Sequence, residues 1–304
     1  MKRIGLFISL LMAIIAASNV AAETPNEAKK ADTAAQPAVQ ECYEKGKKAV
    51  EDYKYLKNDL ANTVISLCTN ALKLDSKNAD AYFYRGSSYK ATYEEERAIE
   101  DFTKAIALDS KNVKAYLGRG NIYAGMAISV GTPENSGDKA EADLNKAIEL
   151  DPRNMDAYVA RADFNINFNR ELALKDYSKA IELDPNNSLR YYQRAEFYKV
   201  NNDFERAVEN FNKALELSPN ISTIYEERGN AYLELKEYRP AIKDFAKAIE
   251  LSPTALGAYY LRGLAYDALG DKEHAVADWK KSASLGFNGA KEVLQRNGIM
   301  LDSK

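Results

Sequence analysis

Residues 225–253 read YEERGNAYLELKEYRPAIKDFAKAIELSP, and the fold is decided by this stretch. It holds two apolar runs of helical period, each carrying one polar stripe. The closing Ser-Pro ends the second run, because proline restricts its predecessor and cannot donate the helix hydrogen bond. The ending KAIELSP at Pro253 recurs as KALELSP at Pro219 and as KAIELDP at Pro185 and Pro152. It returns as KAIALDS at Ser110, NALKLDS at Ser76 and KSASLGF at Phe287. From Ser76 the spacings are 34, 42, 33, 34, 34 and 34 residues. A period of this size is the mark of a repeat architecture.

A second motif, Tyr-x-x-Arg-Gly/Ala-x-x-Tyr, lies between the endings. It occurs at Tyr82/Arg85/Gly86/Tyr89, Tyr116/Arg119/Gly120/Tyr123 and Tyr191/Arg194/Ala195/Tyr198. It recurs at Tyr225/Arg228/Gly229/Tyr232 and Tyr259/Arg262/Gly263/Tyr266, while the copy at Tyr158/Arg161/Ala162 ends in Asn165. Small residues mark the close approach of helices, and Phe102, Leu144, Tyr177, Phe211, Phe245 and Trp279 fill the space between. Polar breaks such as Asn201-Asn202-Asp203 separate the two helices of a copy. One helix pair cannot bury this much apolar surface, so the copies must stack.

This pattern resembles the tetratricopeptide repeat (TPR) family over most of residues 42–287. The resemblance implies an all-α, right-handed α-solenoid of about seven helix-turn-helix repeats. Their bounds are about 42–78, 79–112, 113–154, 155–187, 188–221, 222–255 and 256–287. Residues 288–304 form a capping helix and tail, with Ala290, Val293 and Leu294 facing inward.

The repeated arginine occupies what should be a buried position, and an acid recurs opposite it in an antiparallel pair. The expected ion pairs are Arg85–Asp101, Arg119–Asp143, Arg161–Asp176, Arg228–Asp244 and Arg262–Asp278, with Asn210 replacing the acid in one copy. A catalytic arginine occurs once, whereas one present in six copies is scaffold. Cys42 and Cys68, the only cysteines, fall in the first copy. In an exported protein an even count favours a disulfide, and the alternative is two buried thiols. Residues 125–138, GMAISVGTPENSGD, carry an eight-residue excess and read as a protruding loop, either a binding element or a tolerated insertion.

The N-terminus has its own logic. Lys2 and Arg3 precede an apolar run from Ile4 to Ala17, and Val20-Ala21-Ala22 supplies small residues for cleavage before Glu23. Residues 1–22 therefore read as a secretory signal peptide. At about 14 residues the run is short of the ~20 a membrane span needs. The alternative is a membrane-anchored TPR assembly or secretion factor that keeps this segment. Residues 23–40, rich in Ala, Pro, Thr and Lys, read as a flexible linker. The mature chain is then expected to have no membrane span and to be exported, to a bacterial periplasm or secreted.

Composition narrows the function. The net charge is −3, and −5 once the leader with its two basic residues is removed, which opposes binding to a nucleic-acid backbone. One histidine rules out a multi-histidine metal site, and no nucleophile–base pair is visible, so neither metal, cofactor nor enzyme activity is expected. Eleven of twenty tyrosines sit at the two repeated positions and read as packing rather than base stacking.

In the TPR family the first helices line a groove for an extended peptide or a partner's helix. Carried over by register, the groove positions are Phe83, Ser87 and Lys90; Lys114, Leu117 and Asn121; Val159 and Asp163. They continue with Tyr192, Glu196 and Lys199; Glu226 and Asn230; Tyr260, Leu264 and Asp267. Their mixture of apolar, amide and oppositely charged groups suits a protein or peptide partner. The expected function is a non-catalytic, exported interaction scaffold.

Overall fold

The computed structural model describes residues 36–51, 58–129 and 135–299. All regular structure among them is α-helical. The elements are α1 (Gln36–Glu51), α2 (Asn58–Leu74), α3 (Ala79–Ala91), α4 (Glu95–Leu108), α5 (Val113–Ala127), α6 (Ser136–Leu150), α7 (Met155–Asn165) and α8 (Arg170–Leu183). They continue with α9 (Ser188–Val200), α10 (Phe204–Leu217), α11 (Ser222–Glu234), α12 (Tyr238–Leu251), α13 (Leu256–Ala268), α14 (Lys272–Ser284) and α15 (Asn288–Arg296). The signal-peptide reading of residues 1–22 lies outside the described residues.

Local chemistry sets the helix ends. At the entry to α3, α5 and α7 the same turn recurs, in which Asp75, Asp109 and Asp151 accept from the backbone N–H two residues on. Asn78, Asn112 and Asn154 then cap the helix by accepting from Ala81, Ala115 and Ala157 N–H at 2.9–3.1 Å. Where α11 and α13 begin, Ile221 and Ala255 hold the cap position and offer no side-chain acceptor. The turn within a repeat needs a left-handed residue, supplied by Tyr93, Asn202 and Lys236 at φ 58–62° and by Gly270 at φ 82°.

The described residues form two compact units, divided between Asp176 and Tyr177. Each is an α-solenoid segment in which a helix packs on its chain neighbour, as α3 on α4 or α12 on α13. In the first unit Phe102 and Leu144 are at most 1% exposed, surrounded by Ala98, Ala105, Ala140 and Ala147 at 0%. In the second, Phe211, Phe245 and Trp279 play the same part, and Ala290, Val293 and Leu294 of α15 close over Ala275 and Trp279. First helices also touch one another, α1 with α3, α3 with α5, and α11 with α13, so each unit has a face built from them alone.

Two expected boundaries shift. The linker reading of residues 23–40 is cut short, because α1 begins at Gln36 with Pro37 in its first turn, where proline is tolerated. Val39 and Cys42 pack into the core, so tertiary contact rather than local period makes this segment helical. The loop expected over residues 125–138 is shortened at both ends. The α5 helix runs on to Ala127, Ile128 follows as its C-cap, and α6 starts at Ser136. Both ends of the insertion are thus absorbed into helix.

Candidate functional site

The recurring arginines form a ladder whose geometry is nearly invariant. Arg85 donates from Nε and Nη2 to the two carboxylate oxygens of Asp101 at 2.7 and 2.8 Å. Arg119 does so to Asp143, Arg161 to Asp176, Arg228 to Asp244 and Arg262 to Asp278, all at 2.6–2.8 Å. Arg194 meets Asn210, whose one oxygen accepts only from Nε, at 2.8 Å. The carboxylates are buried and the guanidinium groups nearly so. Burial raises the Asp101 carboxyl despite the opposing Arg85, and hydrogen bonding to Asp101 raises the Arg85 guanidinium.

A further contact escapes sequence reasoning. The third arginine donor, Nη1, reaches back 16 residues to the preceding repeat's second helix: Arg85 to Thr69, Arg119 to Thr103, Arg161 to Asn145, Arg194 to Ser178 and Arg228 to Asn212. Each of these five arginines therefore ties three helices together. Arg262 breaks the series, since Ala246 stands at the corresponding place and has no acceptor. In five of the six motifs the first tyrosine lies 5.5–6.0 Å under the guanidinium, as Tyr82 under Arg85 and Tyr225 under Arg228, which accounts for the Tyr-x-x-Arg spacing.

Cys42 and Cys68 form a disulfide joining α1 to α2, with Cα atoms 4.9 Å apart. Both are buried, so the crosslink lies in the terminal repeat's core.

The groove positions are not uniformly open. In the first unit Phe83 and Val159 are buried, and Phe83 packs 6.0 Å from the Phe102 ring. Ser87, Lys90, Leu117, Asn121 and Asp163 are half-buried and Lys114 is exposed. Ser87 donates to Phe83 O at 2.9 Å, and burial pulls the Lys90 ammonium below its usual range, with Glu95 opposing. In the second unit Tyr192 and Glu196 are buried, whereas Lys199, Glu226, Asn230, Tyr260, Leu264 and Asp267 are half-buried.

The second unit's groove contains a compact charged cluster. Lys199 Nζ lies 2.8 Å from Glu196 Oε1 and makes a short contact with Glu227 Oε2 on the next first helix. Burial and the neighbouring Glu227 push the Glu196 carboxyl up to about 7, with Lys199 opposing. Burial and Glu227 raise Glu226 likewise. Burial lowers the Lys199 ammonium, but Glu227 and Glu196 outweigh it and hold it above its usual value. Glu227 was missed by register alone, since it stands one residue beyond the groove position and reaches Lys199 across the stack. No group of three or more His, Cys, Asp or Glu among the described residues is arranged to hold a metal ion.

Three family models described as tetratricopeptide or TPR repeat match, at residues 79–112 and 256–285, 176–209, and 229–270. The repeats are tetratricopeptide repeats. Similar solved structures include a TPR protein from Parabacteroides merdae, 22% identical, covering 85% of this chain and 98% of its own, with a TM-score of 0.57. PilF of Pseudomonas aeruginosa is 19% identical over 73% of this chain and 98% of its own, at 0.58. The APC/C hetero-tetramer Cut9–Hcn1 gives 17%, 86%, 53% and 0.57. At these identities the likeness speaks to the TPR fold alone. No curated protein matches the chain in sequence.

Among the described residues, no helix of the TPR chain is long and apolar enough to cross a membrane. His274 is exposed, with Nδ1 2.8 Å from Asp271 and its ring stacked on Tyr266. The hydrogen bond to Asp271 raises its pKa, and Asp271 caps α14 by accepting from the His274 backbone N–H as well.

Proposed function

We propose that this protein is a non-catalytic, exported TPR scaffold that binds an extended peptide or a partner's helix along its first-helix faces. The observation that carries this reading is the split between the two faces of each repeat. The repeated Arg, Asp, Tyr and Ala positions are consumed by the ladder and the core. The half-buried Leu117, Asn121, Asn230, Tyr260 and Leu264 vary from copy to copy on the first helices, where specificity for a partner is built. The TPR fold itself supports an interaction role.

Export is part of the proposal. The apolar leader and the Cys42–Cys68 disulfide both support an oxidising compartment. Mass spectrometry of the mature protein is expected to find Glu23 at the N-terminus, and retention of residues 1–22 in a membrane fraction would favour an anchored form instead.

Binding is tested by partner capture from the exported fraction with the wild type and with a doubly blocked groove, Asn121→Arg and Asn230→Arg. Both sites are half-buried, so the variant is expected to keep its helical circular dichroism while losing the captured partner. A folded variant that retains the same partner at the same stoichiometry refutes the groove.

A further inference from the structure

The cluster on α9 and α11 is unbalanced in charge. Glu196, Glu226 and Glu227 present three carboxylates, and Lys199 is the cation that acts on Glu196 and Glu226. Lys199 is engaged by Glu196 and Glu227, and Glu226 makes no hydrogen bond to any described residue. Tyr192 is 7% exposed, feels the charge of the same three carboxylates, and makes no hydrogen bond to a described residue.

Space for the Glu226 carboxylate is kept open by a missing side chain. A Cβ on Gly257, in the first turn of α13, would lie 2.5 Å from Glu226 Oε1. The carboxylates do not converge as metal ligands do. A ligand for this place must carry a positive charge, donate several hydrogen bonds and reach in from the groove. An ammonium or guanidinium on a long apolar stem does all three.

We infer that the groove between α9, α11 and α13 holds a lysine or arginine side chain of an extended peptide, its cationic head seated against Glu226, Glu227 and the Tyr192 phenol. This rests on the groove being the binding face and names the partner's chemistry there. The head neutralises the excess carboxylate charge and supplies the phenol with a donor.

The test uses the full chain and a fluorescein-labelled nonapeptide of serine, glycine and leucine with one central arginine. Lysine, citrulline and glutamate versions serve as controls. In fluorescence anisotropy the arginine and lysine peptides are expected to bind at least tenfold more tightly than the citrulline peptide, and the glutamate peptide more weakly still. Glu226→Gln with Glu227→Gln is expected to erase the tenfold preference for arginine over citrulline. Equal binding of arginine and citrulline peptides, a preference that survives in the double variant, or no arginine binding at millimolar protein overturns the inference. If the captured partner is lost with the Asn121/Asn230 block but unaffected by the glutamine pair, the groove stands and the cationic seat falls.

Discussion

Replacing Asp244 by alanine removes one rung of the arginine ladder. Asp244 is 6% exposed and takes two hydrogen bonds from Arg228, from Nε at 2.7 Å and Nη2 at 2.6 Å. Charge-assisted bonds contribute about 1.5–3 kcal/mol each, and stripping one partner from a buried pair costs about 3–5 kcal/mol. Arg228 would keep Asn212 at 2.6 Å and the Tyr225 face at 5.5 Å, and its side chain is 18% exposed, so water can reach it. The expected loss is therefore near the lower bound, about 3 kcal/mol. Asp244→Asn should lose about half as much, because Asn210 shows an amide oxygen accepting from an arginine Nε at 2.8 Å in the same setting. Repeat arrays need not unfold in one step, so urea unfolding by circular dichroism is paired with hydrogen exchange of α11 and α12. A loss below about 1 kcal/mol, or an asparagine variant as damaged as the alanine one, refutes the ladder as a stabilising element.

Three further outcomes follow from other parts of the molecule. Cys42→Ser with Cys68→Ser opens a crosslink of sequence separation 26, and loop entropy puts the loss at about 3.5 kcal/mol, read as faster exchange in α1 and α2; unchanged exchange would count against the crosslink's role. Glu196, raised to about 7 when folded, binds its proton more tightly than in the unfolded chain, so its contribution is full below about pH 4.5 and is lost as pH rises through 7. Wild type should lose about 3 kcal/mol over that window and Glu196→Gln should not, so identical pH slopes in urea unfolding refute the assignment. Gly263→Ala puts a Cβ 2.5 Å from Trp279 Nε1, an overpacking that costs about 1–3 kcal/mol. Trp279 is the chain's one tryptophan, so its fluorescence reports the change directly, and an unaltered midpoint would show that the helices separate freely.

The repeat endings and the Tyr-x-x-Arg motif made the helix pairs legible, because both are local patterns copied at fixed spacing. The Arg–Asp pairing, 16 residues apart in three copies, 15 in one and 24 across the insertion, was legible for the same reason, since one antiparallel hairpin determines it. Thr69, Thr103, Asn145, Ser178 and Asn212 were not, because their role depends on how successive hairpins are offset, which no single copy encodes. The start of α1, Gln36-Pro37-Ala38-Val39-Gln40, carries a linker's composition and becomes helical through Val39 and Cys42 in the core. Glu196, Lys199 and Glu226 were reachable by register, yet their convergence with Glu227 belongs to the stack. Of the groove positions reached by register, Phe83, Val159, Tyr192 and Glu196 are buried.

The alanine at position 246 has a mechanical meaning. Every other arginine of the series clamps its hairpin to the one before, while Arg262 leaves the α12–α13 seam to apolar contacts such as Ala248, Ala258 and Leu261. Pulled or warmed, the second unit is expected to unzip at that seam, so that α13, α14 and α15 fray as one foldon before α9–α12 let go. An acceptor restored there, Ala246→Asn, would move the weak point elsewhere.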